Sequence, residues 1–304
     1  MVYGKKHRMN KPNTVIDLSV VILNFNTRDL TRTCLLTVLG SKMGQYRMEV
    51  IVCDNGSTDG SIEMIERDFP QVTFIKNGKN IGFAAGNNPG IRRAKGRYVL
   101  LLNTDTEVPE QTLVRMIEFM DTHKEAGAAT CKILLPDGSM DPACHRGFPT
   151  PWVAFTYVTK LEKLFPKTRL FGEYHQGYKD ISKVHEVDCI VGAFFMVRRE
   201  TIEDVGLLDE DYFMYGEDID WAYRIRKNGW KILFNPSVTI LHKKKQSGRA
   251  NSRKDRRVAT EVYFHQYNWL FYTKNYAKKY GPLLTFLVNS FYTTRIVLLK
   301  KFGI

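Results

Sequence analysis

Cysteine is scarce in this 304-residue chain, and its five cysteines (Cys34, Cys53, Cys131, Cys144, Cys189) include no C-x-x-C pair. An odd number without paired spacing argues against a disulfide framework and against a cysteine-held zinc site. A reducing compartment is the simpler setting. No stretch stays apolar for the roughly 18–20 residues that a membrane-spanning helix needs. Residues 1–13 are basic and polar with no apolar core, which is not the pattern of a secretory signal. Residues 1–17 read as a flexible basic tail. No internal repeat or low-complexity tract is evident.

What is present is ordinary globular composition, 43% hydrophobic and 25% charged, enough for one large domain or two small ones. The net charge of +13 is unevenly placed. From His242 to Ile304 there are fourteen Lys/Arg against two acids, so this segment carries +12 and the rest of the chain +1. The asymmetry points to an anionic partner: a membrane surface, nucleic acid or a charged lipid-linked substrate. In the same segment Leu284, Leu287, Val288, Phe291 and Leu298 share one helical face, while Thr285, Asn289, Thr293 and Lys300 share another. Apolar residues on one face beside basic residues suit an interfacial helix on an anionic membrane. Arg295 interrupts the apolar face, and packing on the protein's own core is the competing reading.

Short apolar runs alternate with helical patterns over residues 18–132. Residues 18–23, 48–53, 72–75 and 98–102 read as strands; 61–67, 84–94 and 109–123 read as helices, with Pro109 placed in the first turn of the last. This alternation predicts an α/β fold with a mostly parallel central sheet flanked by helices. Residues 133–187, with five prolines, read as loops and short helices shaping a cleft. Strands are expected at 187–191, 193–198, 231–234 and 238–241, and a helix at 218–227 with an acidic start and Gly229 as its stop. A basic linker, 243–257, precedes an aromatic-rich helix at 262–276.

Four motifs carry chemistry. The run Tyr98-Val-Leu-Leu-Leu-Asn-Thr-Asp105 ends a buried strand on Asn103-x-Asp105, at the sheet edge where α/β proteins bind ligands. Asp105 could ligate Mg²⁺ or Mn²⁺, with Asn103 acting through its carbonyl or a water; strand-end capping is the bland alternative. The loop Asp54-Asn55-Gly56-Ser57-Thr58-Asp59 offers a carboxylate to a base or ribose, or is simply a polar turn that caps a helix. Asn80-Ile81-Gly82-Phe83-Ala84-Ala85-Gly86 is a glycine-rich helix start suited to a diphosphate, but it lacks dinucleotide-fold and P-loop spacing. In Gly216-Glu217-Asp218-Ile219-Asp220-Trp221, clustered acids raise one another's proton affinity and one could take a proton from a hydroxyl; the alternative is helix capping. His242 could share a metal ion with Asp105. Lys243, Lys244, Lys245 and Arg249 could meet a leaving diphosphate, or form a solvated basic run.

Taken in order, Ser19-Val-Val-Ile-Leu-Asn24-Phe-Asn26, the Asp54 loop, Asn80-Ile-Gly82, Asn103-Thr-Asp105, Val191-Gly-Ala-Phe194, Phe213-Met-Tyr-Gly-Glu217-Asp218-Ile-Asp-Trp221 and His242 resemble the family-2 glycosyltransferases of the GT-A fold, especially bacterial rhamnosyltransferase-like members. The resemblance covers residues 18–245. It implies a GT-A domain there, with a nucleotide-sugar half at 18–132 and an acceptor half at 133–245, followed by a basic helical extension at 246–304. It implies a dTDP-, UDP- or GDP-sugar donor and an inverting single displacement. Asn24, Asn26 and Asp54 would hold the nucleoside, and Asn80 and Gly82 would line the donor pocket. Asn103-Thr-Asp105 stands where the family has D-x-D, with Asp105 and His242 on Mg²⁺ or Mn²⁺. Asp218 would be the base, ahead of Glu217. L-Rhamnose is the expected sugar, and a cell-surface glycan or lipid-linked acceptor the expected recipient, with the enzyme cytoplasmic and peripheral on the inner face of the membrane. A sugar nucleotidyltransferase fits less well, because the first loop, Asn24-Phe25-Asn26-Thr27-Arg28, is neither glycine-rich nor strongly basic. A non-enzymatic module that uses the basic tail on nucleic acid or membrane is the third reading; nucleic acid is not the expected partner, since the charge lies outside the domain.

Overall fold

The computed structural model describes residues 15–243 and 254–303. Its first half alternates β1 (Leu18–Asn24), α1 (Arg28–Leu39), β2 (Met48–Asp54), α2 (Ser61–Asp68), β3 (Thr73–Lys76), α3 (Phe83–Arg93), β4 (Tyr98–Asn103), β5 (Thr106–Glu107) and α4 (Thr112–Thr122). The strands expected there all form, within a residue of their predicted ends. Pro109 lies outside α4: its carbonyl accepts the Thr112 amide at 2.9 Å, so it makes the turn before the helix. The second half contains β6 (Ala126–Leu134), α5 (Pro151–Val158), α6 (Leu161–Leu164), β7 (His185–Val187), β8 (Phe194–Arg198), α7 (Arg199–Val205), α8 (Glu217–Lys227), β9 (Lys231–His242), α9 (Lys254–Asn275) and α10 (Ala277–Phe302).

Nine strands form one sheet in the order β3-β2-β1-β4-β8-β6-β9-β5, with β7 also on β9. The β3-β2-β1-β4 half is parallel. Beyond it the sheet is mixed, because β8 runs antiparallel between β4 and β6 while β6 and β9 are parallel. Strand β6 escaped the sequence reading. It opens Ala-Gly-Ala-Ala, residues of low strand propensity that only a covered central position makes strand-like. The two short runs at 231–234 and 238–241 are one strand, β9, carrying a register shift opposite Cys131 and Lys132.

The core lies on both faces of this sheet, and its largest buried side chains include Trp221, Tyr98, Tyr212, Phe194 and Phe195. All five cysteines are buried and free. Burial pushes the Cys34, Cys53, Cys144 and Cys189 thiols up to about 12, which leaves them unreactive.

Helix α3 seats on the sheet through two glycines one turn apart. A Cβ on Gly86 would meet Leu23 Cδ1 at 2.8 Å, and one on Gly90 would meet Val21 Cγ1 at 2.6 Å. Gly86 therefore belongs to helix packing, not to the anion loop the sequence suggested.

Helices α9 and α10 form an antiparallel hairpin. Trp269 Nε1 donates to Asn289 Oδ1 at 2.8 Å, the Tyr272 and Thr285 hydroxyls pair at 3.0 Å, and Val262 packs with Ile296 and Leu299. Phe271, Tyr272 and Tyr276 join α9 to the main core. The polar positions Thr285 and Asn289 thus face α9, while Leu283, Phe286 and Leu287 stand exposed. Helix α10 has the length and composition to cross a membrane, with hydropathy 1.3 over its apolar window. The sequence reading found no apolar stretch long enough to span a bilayer; the helix passes by composition although Thr285, Asn289, Ser290, Thr293 and Thr294 interrupt its apolar residues.

Enlarging Gly90 to Leu should lift α3 off β1 and β2. Overpacking of this kind costs about 1–3 kcal/mol, read as a lower urea midpoint at unchanged slope. An unchanged midpoint would show that α3 does not depend on this close approach.

Candidate active site

Because β1, β2 and β4 are parallel and in register, their last residues share one edge. Asn24 pairs with Asp54 and Leu23 with Asn103. Asn24 Nδ2 donates to Asp54 Oδ2 at 2.6 Å and to Ser57 Oγ at 3.0 Å. Asp54 Oδ1 accepts the Gly56 and Ser57 amides at 2.9 and 2.8 Å, and its Oδ2 also accepts the Ser57 hydroxyl at 2.7 Å. Asp54 and Asn24 are fully buried. A buried carboxylate is stable only when hydrogen-bonded or paired, and the loop's own backbone supplies those bonds. In this structure Asp54 therefore shapes the loop from within. Asn26 stays exposed at the rim in the left-handed region (φ 53), its side-chain oxygen accepting the Thr58 amide at 2.7 Å.

The glycine-rich loop closes onto the acidic loop. Gly82 has φ 90, and a Cβ there would lie 2.4 Å from the Phe213 carbonyl oxygen, which accepts the Phe83 amide at 2.6 Å. Only glycine tolerates both the angle and the contact. Asn55 ties the loops together, donating to the Gly82 carbonyl at 2.9 Å and to Asn80 Oδ1 at 3.3 Å. Asn80 itself is exposed. On the other side a Cβ on Gly192 would sit 3.0 Å from the Phe83 ring, and Ala193 accepts the Asn103 amide at 3.3 Å. The ends of β4 and α3, the turn before β8 and the loop before α8 thus meet.

The pairing of β5 with β9 sets Thr106 opposite His242 and brings Asp105 to the imidazole. His242 Nε2 lies 3.2 Å from Asp105 Oδ1, and Nδ1 lies 3.3 Å from Asp141 Oδ2. All three are buried. Burial alone would lower the His242 pKa, but hydrogen bonds and charge from Asp105 and Asp141 outweigh it and raise it to about 9. A second carboxylate on Nδ1–H is the usual device for orienting a metal-binding histidine. Asp141 went unnoticed in the sequence because it lies in an irregular stretch, in no apolar run or acidic cluster.

At the start of α8 the three acids Glu217, Asp218 and Asp220 occupy the first turn, after Tyr215 (φ 75) and Gly216 (φ 89). Arg146 donates to Asp218 Oδ2 at 2.8 Å, with both side chains largely buried. The Ile219 amide caps Asp218 Oδ1 at 2.8 Å. Breaking one side of such a buried pair costs about 3–5 kcal/mol, so Arg146 holds Asp218 firmly. Glu217 is buried, and its Oε2 has no hydrogen-bond partner. Burial first, and the Asp218 charge second, raise it to about 8. Asp220 is instead tied to Arg224 at 2.8 Å.

The two acidic centres are joined by one short stretch. Asp141 touches His242, and Arg146, five residues later, touches Asp218. Five residues reach at most about 18 Å, so one short piece of chain touches both acidic centres. Lys243, expected at a diphosphate, pairs with Glu107. Arg249, Lys244 and Lys245 lie outside the described residues.

The family model described as Glycosyl transferase family 2 matches residues 19–206. The N-acetylglucosaminyl-diphospho-decaprenol L-rhamnosyltransferase of Mycobacterium tuberculosis (strain H37Rv) is 28% identical over 211 residues, covering 66% of this chain and 68% of its own. Rhamnosyltransferase WbbL of Escherichia coli (strain K12) is 25% identical over 230 residues, covering 73% and 82%. Among solved structures, GalNAc-T7 with UDP, GalNAc and Mn²⁺ superposes with TM-score 0.59 at 18% identity, over 96% of this chain and 57% of that one. The mannosyltransferase PcManGT from Pyrobaculum calidifontis, in complex with GDP-Man and Mn²⁺, gives 0.57 at 17%, over 95% and 85%. At that identity the structures establish a shared GT-A fold.

Glu217 gives the site a pH signature. Its folded pKa of about 8 lies above the usual carboxylate value, so the folded state holds the proton more tightly and stability falls as pH rises from about 4.5 through 8. Glu217→Gln should remove that fall, worth roughly 2–5 kcal/mol by pKa linkage. The readout is urea unfolding at pH 5 and pH 9. A wild-type slope in the variant would show that Glu217 is not the group responsible.

Proposed function

The chain belongs to glycosyl transferase family 2, and from that premise we propose an inverting transfer of L-rhamnose from dTDP-rhamnose to a hydroxyl of a lipid-linked or cell-surface glycan acceptor. The observation that carries this reading is the stretch 141–146, which joins the Asp105–His242 pair to Asp218. Its two ends suit opposite tasks: gripping a diphosphate and receiving a proton. Rhamnose is supported by the names of the two rhamnosyltransferase relatives. We assign residues 18–245 to the catalytic domain.

Asp105 and His242 Nε2 would hold Mg²⁺ or Mn²⁺. One carboxylate and one imidazole suit these ions, whose shells commonly include substrate phosphates and waters. Among the described residues no group of three His, Cys, Asp or Glu side chains could hold a metal; an ion held by Asp105 and His242 would take its remaining ligands from the donor phosphates and water. Asp141 keeps the Nδ1 proton of His242 and leaves Nε2 facing Asp105. A bound divalent ion would neutralise charge that develops on the departing diphosphate.

Asp218 takes the acceptor proton. As it does so the acceptor oxygen forms its bond to the anomeric carbon, the bond from that carbon to the diphosphate oxygen breaks, and the configuration inverts. Arg146 fixes the direction in which Asp218 points. Glu217, whose burial favours its protonated form, is less suited than Asp218 to be the base. Asn26 and Asn80, exposed on the rim, are the candidates for direct nucleoside and donor contacts, supported from beneath by Asn24, Asp54 and Gly82. Asn103, whose amide donates to the Ala193 carbonyl at the sheet edge, would assist the metal through its carbonyl or a water. The basic C-terminal extension, with Arg249 in its linker, would keep the enzyme on the cytoplasmic, anionic face of a membrane.

Asp218→Asn should lower kcat by about 10²–10⁴ while the thermal shift with donor nucleotide stays as in wild type. Normal turnover would remove Asp218 from the mechanism. Asp105→Asn should weaken the Mn²⁺-dependent part of that shift, which tracks binding by mass action; an unchanged metal titration would move the cation elsewhere.

A further inference from the structure

Two segments far apart in the chain border one apolar groove. Pro149, Pro151, Phe155 and Val158 line one wall and Leu287 and Phe291 the other, enclosing about 250 Å³. The surfaces beside it are also apolar. Phe155 is 51% exposed and Leu164 71%; on α10, Leu283 is 75% and Phe286 67% exposed. Trp152 stacks on Phe155 at 5.6 Å and meets Phe171, which meets Phe165 at 5.3 Å, so the α5–α6 side is one continuous aromatic patch. Water-exposed apolar surface on this scale marks an interaction site.

Charge identifies the occupant. Residues 149–172 contain Lys160, Lys163, Lys167 and Arg169 and one acid, Glu162. That acid is buried and held by His175 Nδ1 at 2.6 Å, and among the described residues Arg169 alone of the four pairs with an acid, Glu173 at 3.6 Å. Helix α10 carries Lys278, Lys279, Arg295, Lys300 and Lys301 and no acid. A second copy of the same face would set like charges against each other. An aromatic surface rimmed by lysines matches the headgroup boundary of an anionic leaflet, where the rings enter and the ammonium groups stay with the phosphates.

We propose that α5, α6 and α10 together form one docking face for an anionic lipid bilayer, with a hydrocarbon chain of the leaflet filling the groove between them. This rests on the membrane reading above and extends it to a part of the chain outside the basic extension. It also orients the active site. Pro149, on the groove wall, is three residues from Arg146, no more than about 11 Å of chain, and Phe148 packs on Tyr223 of α8 at 5.4 Å between ring centres. A lipid-linked acceptor lying in the leaflet therefore approaches from the Asp218 side.

The test is co-sedimentation of the full chain with vesicles of phosphatidylcholine alone or mixed with phosphatidylglycerol. Phe155→Ser/Leu164→Ser, with α10 intact, should reduce partition onto the mixed vesicles about tenfold or more. Lys160→Gln/Lys163→Gln/Lys167→Gln should remove most of the preference for phosphatidylglycerol, at up to about fivefold per lysine. The thermal shift with donor nucleotide should stay unchanged in both, which separates lost docking from lost folding. If Leu283→Ser/Phe286→Ser abolishes partition and Phe155→Ser/Leu164→Ser does not, this inference fails and the extension alone binds. If wild type ignores both vesicles, the underlying membrane reading fails as well. A lipid-free dimer that Phe155→Ser/Leu164→Ser turns into monomer would assign the face to a second copy instead.

Discussion

An acidic group taken out of water must be paired, hydrogen-bonded or protonated, and that constraint shapes every acidic position at this sheet edge. Asp54 is satisfied by Asn24 and its own loop. Asp105 and Asp141 share the two nitrogens of His242. Asp218 has Arg146, and Asp220 has Arg224. Glu217, which has no cationic partner of its own, answers by holding its proton to about pH 8. The loops are where they are because these pairings need atoms from β1, β2, β5, β9, α8 and the stretch before α5 in one place.

The same constraint sorts the acids by chemical use. A carboxylate saturated by fixed backbone amides, such as Asp54, cannot turn toward a ligand without losing several bonds. Asp105 and Asp218 differ, because each is also met by a side chain from a distant segment: an imidazole in one case, a guanidinium in the other. A cation can replace a proton on His242, and a hydroxyl can approach Asp218 alongside Arg146. Burial alone therefore does not distinguish support from chemistry; the nature of the partner does.

Much of the parallel half was legible because it rests on local pattern. Apolar runs ending in Asn24, Asp54 and Asn103 announce strands, and parallel register then places their polar ends side by side. The sequence reading put Asp105 and His242 on one metal ion; the antiparallel pairing of β5 with β9 is what brings the two side chains together. What the pattern did not contain was long-range compensation. Arg146 and Asp141 sit in a proline-rich stretch without periodicity, and their importance is set by residues about a hundred positions away. Strand β6 hid for a related reason, since alanine and glycine become strand only where neighbours on both sides and both faces leave nothing else. Gly86 was misassigned because a glycine near a helix start looks the same whether it serves a ligand or a close-packed sheet.

The stretch from Asp141 to Val158 is where these separate arguments become one. It begins on the histidine that faces Asp105, passes the arginine that steers Asp218, and ends as the wall of the apolar groove. A chain this short has little slack, so displacing any one of its three attachments shifts the other two. Proline at 142, 149 and 151 fixes backbone angles along it, which limits the conformational freedom lost on ordering it. Its composition, which from sequence alone suggested an irregular cleft wall, is better understood as a rigid strap. That strap ties the charged edge of the sheet to the apolar outer face, and under the proposed function it would relate the direction of proton transfer to the direction from which an acceptor arrives.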